Sequence, residues 1–399
     1  MALDLSTLIQ PADTRIVLVV MDGLGGYATS ERGSELEEAT TPNLDRLAAE
    51  GSTGLVEPVG PGITPGSGPG HLGLFGYDPL KYELGRGALS AAGLDVELKP
   101  GDVAARGNLA TLDGNSNVTD RRAGRIPDDE AAAVVEKLRD GIGIEGVEVV
   151  LVPEAQHRVL VVLRGEGLDA HVTDTDPQAT GVPPLAPEPK VPDAKRTAEV
   201  VAELDAQVRK LLAGEPKANA LLLRGFDSHR ELPSMHQRYG VRPAAVAIYP
   251  MYRGIARLVG MEVLPKAGDL DGQVAQLGEH WDRFDYFFLH HKYPDSAGED
   301  GDFDRKVAAI ETLDAAISAI VALGPDVIVV TGDHSTPSQM AAHSWHPVPA
   351  LMWGDRVGRD ATERFGERWC AGGLLGLRPT KDLMPVALAA AGRLAKYGA

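Results

Sequence analysis

A chain of 399 residues, 43% hydrophobic and 24% charged, has the size and balance of two or three globular domains. Its formal charge of -18 argues against nucleic acid or an anionic membrane as partner, since both need a broad positive field, but a local arginine cluster could still hold a small anion. A single cysteine, Cys370, excludes an internal disulfide and a cysteine-based metal cluster and reads as a small apolar residue. No apolar run approaches the roughly 18 residues needed to span a bilayer, so a cytoplasmic location is expected.

In chain order, "RIVLVVMDG" predicts a buried strand that delivers Asp22 just past its end. The acidic "SELEEAT" reads as a solvated surface segment. "TPNLDRLAAEG" predicts a helix with Thr41 as N-cap, Pro42 in its first position and Gly51 beyond its end. "TPGSGPGHLGLFGYDP" sets Ser67 between Gly66 and Gly68, ahead of a helix expected to begin near Pro69. The pattern changes from about residue 106, with a helix "DDEAAAVVEKLRD", strands "VEVVLVP" and "HRVLVVLRG", and the proline-rich connector "GVPPLAPEPKVP". "DTDPQATG", just before that connector, could join two domains.

Strands and helices then alternate: helix "DAKRTAEVVAELDAQVRKLLAG", strands "NALLLRG" and "AAVAIY", helix "YRGIARLVG", strand "FDYFFLHH", helix "FDRKVAAIETLDAAISAIVALG" and strand "DVIVVTGDH". This alternation predicts an α/β fold: a doubly wound, mostly parallel sheet formed by residues 1–105 and 192–399, with a smaller α+β domain inserted at 106–191.

In such sheets ligands bind beyond the carboxyl ends of the strands. Four segments put polar groups there: Asp22; Asp295 and Glu299 in "HHKYPDSAGEDGD"; Asp333 and His334 in "TGDHSTP"; and His343 and His346 in "AAHSWHP". Carboxylates and imidazoles on several strand ends make a donor set for divalent metal, Mn²⁺ or Zn²⁺ more naturally than Mg²⁺. Two such ions roughly 4 Å apart can stabilise the attacking and leaving oxygens of an in-line displacement. A serine near them gains a lowered hydroxyl pKa, and the following helix N-terminus favours accumulating negative charge, which makes Ser67 a candidate phosphorylatable nucleophile. His71 could orient a metal ligand or cap its helix.

Six stretches, "VVMDGLGG", "TPNLDRLAAEG", "PGSGPGHLGLFGYDP", "RGALSAAGLDVELKPGDVAARGNLAT", "TDRRAGRI" and "TGDHSTP…AAHS", resemble in collinear order the cofactor-independent phosphoglycerate mutases of the archaeal type, in the alkaline phosphatase superfamily. The resemblance implies an alkaline-phosphatase-like core that exchanges 3-phosphoglycerate and 2-phosphoglycerate through a phosphoserine, with two divalent ions (Mn²⁺ foremost; Mg²⁺, Zn²⁺ or Co²⁺ as alternatives) and no bisphosphoglycerate. It implies one metal on Asp22, Ser67, Asp333 and His334, and another on Asp295, His343 and the position of Glu299, where the family has histidine. Where Gly68 stands, the archaeal pattern commonly has an acidic residue.

Such a substrate, a small phosphorylated anion, requires cationic clamps. The expected contributors are Arg121, Arg122 and Arg125, with Asp120 orienting one of them or accepting a substrate hydroxyl, together with Asn108, Arg158 and Lys292. The same metal core could alternatively hydrolyse a phosphomonoester or phosphonate, or transfer phosphate as a homoserine-kinase-like enzyme. Outside the enzyme class, Glu299 could mark a degenerate metal site in a binding or regulatory protein.

Overall fold

The computed structural model describes residues 5–82, 84–229 and 232–398. They form two compact units, one comprising residues 1–83 and 232–399, the other residues 84–231. The smaller unit is therefore wider at both ends than the expected 106–191.

The larger unit is built on an eight-stranded sheet. Its strands are β1 (Ile16–Met21), β2 (Ser52–Glu57), β8 (Pro243–Val246), β9 (Glu262–Val263), β10 (Tyr286–His291), β11 (Val327–Thr331), β12 (Val348–Trp353) and β13 (Gly376–Pro379), in the order β13-β2-β12-β11-β1-β10-β8-β9. The pairs around the centre are parallel, and only β12 runs against its neighbours β11 and β2. Every residue of β1, β10 and β11 is buried, as expected for strands covered by helices on both faces. Register matters most here: Val20 lies opposite both Thr331 and His290, so the three central strands end side by side and their following residues emerge at one level.

The smaller unit has a five-stranded antiparallel sheet: β3 (Val103–Leu112), β4 (Val118–Asp120), β5 (Glu148–Ala155), β6 (Arg158–Arg164) and β7 (Ala220–Ser228), with β3 pairing β4, β6 and β7. One face packs on the helices Asp128–Gly141 and Lys195–Leu211 through Val103, Ala105, Leu109, Val135, Leu204 and Val208. Two expectations change. "NALLLRG" is β7 of this sheet, and the helix after residue 195 packs here too, because a buried apolar strand has the same composition in either sheet and only its partner decides where it belongs.

"SELEEAT" also departs from expectation. Ser34, Glu35 and Glu37 are buried, in a short helix Glu35–Glu38 whose N-cap Ser34 and Glu37 form a capping box. The carboxylates find buried partners: Glu35 Oε1 accepts from the Ser338 N–H and hydroxyl, and Glu35 Oε2 lies 3.7 Å from the ammonium of the fully buried Lys306. "DTDPQATG" lies inside the smaller unit, where Asp174 accepts from the Gly225 N–H. None of the described helices is long and apolar enough to cross a membrane.

Candidate active site

The larger unit gathers the residues expected at strand ends. Asp22 follows β1, Lys292 and the helix Tyr293–Glu299 follow β10, and Asp333 and His334 follow β11. Ser67 is the first residue of the helix Ser67–Leu74, capped by Gly66, two residues earlier than expected. That helix owes its position to Gly70: a Cβ there would sit 2.2 Å from the Asp333 carbonyl oxygen, so only glycine lets the helix lie against that loop.

Two groups of donor atoms result, Asp22 with Asp333 and His334, and Asp295 with His334 and His343. His334 Nε2 lies 3.3 Å from Asp22 Oδ1, 3.2 Å from Asp333 Oδ2 and 3.2 Å from Ser67 Oγ. His343 Nε2 lies 3.5 Å from Asp295 Oδ1 and 3.7 Å from Glu299 Oε1, and its ring stacks on that of His334 at 3.7 Å. The far nitrogen of each imidazole meets an oxygen: His343 Nδ1 donates to the Pro65 carbonyl, and His334 Nδ1 lies 2.9 Å from Thr336 Oγ1. Both Nε2 atoms are thereby turned to the carboxylates, as ligating histidines are commonly held.

The residues fit divalent metal on their own chemistry. Asp22 Oδ1 and Asp333 Oδ2 are buried without a hydrogen-bond partner, an expensive arrangement for acceptor oxygens unless a cation sits between them. Burial and the Asp22 charge push the Asp333 carboxyl up to about 8. Burial raises Asp22 as well, but Lys292, His290 and His334 outweigh it and hold that carboxyl well below the usual range. Asp295 is likewise drawn down to about 2, against its burial, by His343 and Lys292. Glu299 has a half-exposed side chain, and partial burial and the Asp295 charge raise it.

Two groups behind the site, Tyr252 and His290, gave no signal in the sequence. Asp22 Oδ2 accepts from the Tyr252 hydroxyl and lies 3.4 Å from His290 Nε2. His71 does not cap its helix; its Nδ1 lies 2.8 Å from the Ser67 carbonyl and 3.2 Å from Asp333 Oδ2, and burial lowers it to about 4. Lys292, expected on substrate, lies 3.0 Å from Asp22 Oδ2 and pairs with Asp295, because it sits on the turn that carries Asp295. His346 stacks on Tyr27 and is in neither donor group. Cys370 is buried, as expected of a small apolar residue, and burial pushes its thiol up to about 12.

The smaller unit concentrates cations. Arg106 pairs in register with Arg224, and Asn108 with Arg158, so four polar residues interrupt a sheet face that is otherwise Ala104, Leu160 and Val162 on one side and Ala110, Ala220 and Leu222 on the other. Burial and the charges of Arg86 and Arg158 lower Arg106 to about 10. The charges of Arg158, Arg122 and Arg125 also reach His157, which burial and these arginines hold near about 4. The Arg121 fork is taken up by Asp176 at 2.8 and 2.7 Å, and of the two roles expected of Asp120 the orienting of an arginine side chain is replaced by bonds from the N–H groups of Arg122 and Gly124. Asp120 thus holds a left-handed turn in which Ala123, Gly124 and Arg125 all have positive φ, strain that leaves Arg122 and Arg125 exposed.

Arg86, Arg106 and Arg224 went unnoticed in the sequence although each precedes a glycine. The reason is visible at Gly225: its φ is +63° and a Cβ there would meet Arg86 Cβ at 2.7 Å, so glycine lets two arginine-bearing segments meet.

The family model described as 2,3-bisphosphoglycerate-independent phosphoglycerate mutase matches residues 48–218. A protein of Thermus thermophilus named as a probable enzyme of this kind is 51% identical over 400 residues, covering 99% of this chain and 98% of its own. The chain belongs to the family of 2,3-bisphosphoglycerate-independent phosphoglycerate mutases.

Membership in this mutase family makes it an enzyme of the isomerase class. A probable mutase of Aquifex aeolicus is 47% identical over 405 residues, with 99% of both chains covered. Among solved structures, a Pyrococcus horikoshii protein superposes with a TM-score of 0.84 at 30% identity, covering 97% of this chain and 99% of its own. A cofactor-independent phosphoglycerate mutase from Thermoplasma acidophilum gives 0.73 at 29% identity, covering 95% of this chain and 100% of its own.

Proposed function

We propose that the protein interconverts 3-phosphoglycerate and 2-phosphoglycerate without bisphosphoglycerate, as a cytoplasmic enzyme of glycolysis and gluconeogenesis, through a phosphoserine at Ser67. The observation that carries this reading is the Ser67 hydroxyl at a helix N-terminus, 3.2 Å from His334 Nε2 and beside two carboxylate oxygens that no hydrogen bond satisfies. Asp22, Ser67, Asp333 and His334 would hold one divalent ion, and Asp295, Glu299 and His343 the other. When bound, such ions neutralise the buried carboxylates and lower the pKa of the serine hydroxyl. Two carboxylates and one imidazole make the second set oxygen-rich, which favours Mn²⁺ over Zn²⁺.

Ser67 gives up its hydroxyl proton as Oγ attacks phosphorus, the bond from phosphorus to the glycerate oxygen breaks, and that oxygen takes up a proton in exchange. The Ser67–Leu74 helix N-terminus favours the charge gathering on the phosphoryl oxygens. Glycerate stays bound, its other hydroxyl gives up its proton and attacks the phosphoserine, and the released Ser67 oxygen takes up a proton. Holding glycerate calls for cations matched to a carboxylate, and the smaller unit is proposed as the substrate-binding domain, with Arg86, Arg106, Arg158, Arg224 and Asn108 as the holding groups and Arg122 and Arg125 beside them.

Acid quench during turnover tests the covalent step. The proposal expects a phosphoryl group on the Ser67 peptide, whereas turnover with that peptide unmodified would exclude a phosphoserine.

A further inference from the structure

Buried behind the donor atoms is a polar chain that the phosphoryl chemistry does not use. Lys306, fully buried on the helix Phe303–Ala322, donates through Nζ to the Gly25 carbonyl at 3.0 Å and to the Thr336 carbonyl at 2.9 Å. Gly25 belongs to the turn that carries Asp22, and Thr336 to the turn that carries Asp333 and His334. The two turns also bond directly, Thr336 N–H to Gly25 O at 3.0 Å and Gly23 N–H to Asp333 Oδ1 at 3.1 Å. A buried ammonium is costly and an apolar side chain often serves stability as well, so its two carbonyl partners point to a task of holding these turns in register.

What that register aims is the Thr336 side chain. Its Oγ1 donates to Asp295 Oδ1 at 2.7 Å and lies 2.9 Å from His334 Nδ1. A hydroxyl has one proton; with that proton on Asp295, the remaining oxygen lone pairs can only accept, so the hydrogen in the contact with His334 belongs to Nδ1. The opposite ring nitrogen faces two carboxylates that would otherwise draw the ring proton to Nε2 and spoil it as a donor to metal.

We infer that Thr336 is a positioning residue: its hydroxyl, seated by Lys306, fixes His334 with the proton on Nδ1 and joins that ring to Asp295, so that the two metal-binding groups are set together. This rests on the metal reading of the site given above.

The test compares Thr336→Val, which keeps the shape and removes the hydroxyl, with Thr336→Ser, which keeps the hydroxyl. In metal-free protein labelled with ¹⁵N-histidine, with His334 assigned by the signal lost in His334→Gln, wild type and T336S should show Nδ1 protonated and T336V a shift toward the Nε2–H form. Titration with Mn²⁺ should show affinity about 10–100-fold weaker in T336V and near wild type in T336S. An unchanged tautomer in T336V, or equal loss of affinity in both variants, would overturn the inference. Wild type that binds no Mn²⁺ would instead overturn the metal reading, while the tautomer comparison would still decide the role of Thr336.

Discussion

The hydroxyl of Ser67 and the Nε2 of His334 stand 3.2 Å apart although 267 positions separate them in the chain. The contact exists because the Ser67 helix lies against the Asp333 carbonyl and the central strands end in register. If Ser67 is the nucleophile, Ser67→Ala should lower mutase activity by at least about 10⁴-fold with little change in melting temperature, and no phosphoenzyme should be trapped. Turnover within tenfold of wild type would exclude it.

Removing metal should cost stability as well as activity. Two adjacent carboxylates buried with unsatisfied oxygens are tolerated poorly without a cation, and a ligand at about 1,000 times its Kd adds about 4 kcal/mol to the folded state. Calorimetry with and without a chelator should show a melting temperature several degrees lower after metal removal, restored by Mn²⁺. Identical melting curves would mean that no metal binds the folded protein.

Glu299 should decide metal preference. Glu299→His converts the second set from two carboxylates and one imidazole to one carboxylate and two imidazoles, and should move activity from Mn²⁺ toward Zn²⁺ in a competition titration. Glu299→Ala should weaken binding of one ion of the two. If both variants keep the wild-type stoichiometry and preference, Glu299 is not a ligand.

Arg106→Met separates function from stability. Arg106 is half-buried among Arg86, Arg158 and Arg224, so burial and repulsion lower its pKa while it stays charged near neutral pH. Removing it should raise KM for phosphoglycerate by about 10-fold or more while leaving the melting temperature unchanged or higher, since groups held against their preference for a ligand are a known cost to stability. A lower melting temperature with unchanged KM would make Arg106 structural.

His157 predicts an acid limit for the smaller unit. Its folded-state pKa, near 4, lies below the ordinary 6.5 because burial and surrounding arginines disfavour the charged ring. The unfolded chain therefore binds the proton first: the contribution is complete above about pH 6.5 and is lost as pH falls toward 4, on the order of 1–3 kcal/mol with solvent screening. Denaturant unfolding of His157→Gln should lose part of the stability slope between pH 6.5 and 4, and a slope equal to wild type would contradict this assignment.

The legible parts of this protein are those in which residue type and neighbourhood agree. Asp22, Asp295 and the Asp333–His334 pair follow strands whose every residue is buried and most of whose residues are apolar, so strand ends and their chemistry coincide in the sequence. Arg106 and Arg224 were illegible because an arginine within an apolar strand also suits a solvated sheet edge, and only the pairing of β3 with β6 and β7 reveals them as neighbours. Glu35 misled for the opposite reason. An acidic run is ordinarily solvated, and the groups that let this one be buried, Lys306 and Ser338, come from distant parts of the chain. Lys292, expected on substrate, pairs with the carboxylates on its own strand-end turn and on that of β1, partners that its position in the sequence did not single out.

The central claim is an intramolecular phosphoryl exchange with glycerate retained. A ³¹P NMR time course of the Mn²⁺-loaded protein with 3-phosphoglycerate, and no bisphosphoglycerate, measures it directly. The 2-phosphoglycerate resonance should grow to equilibrium with little inorganic phosphate. Inorganic phosphate as the sole product, or an unchanged spectrum from protein shown to hold its metal, would contradict it.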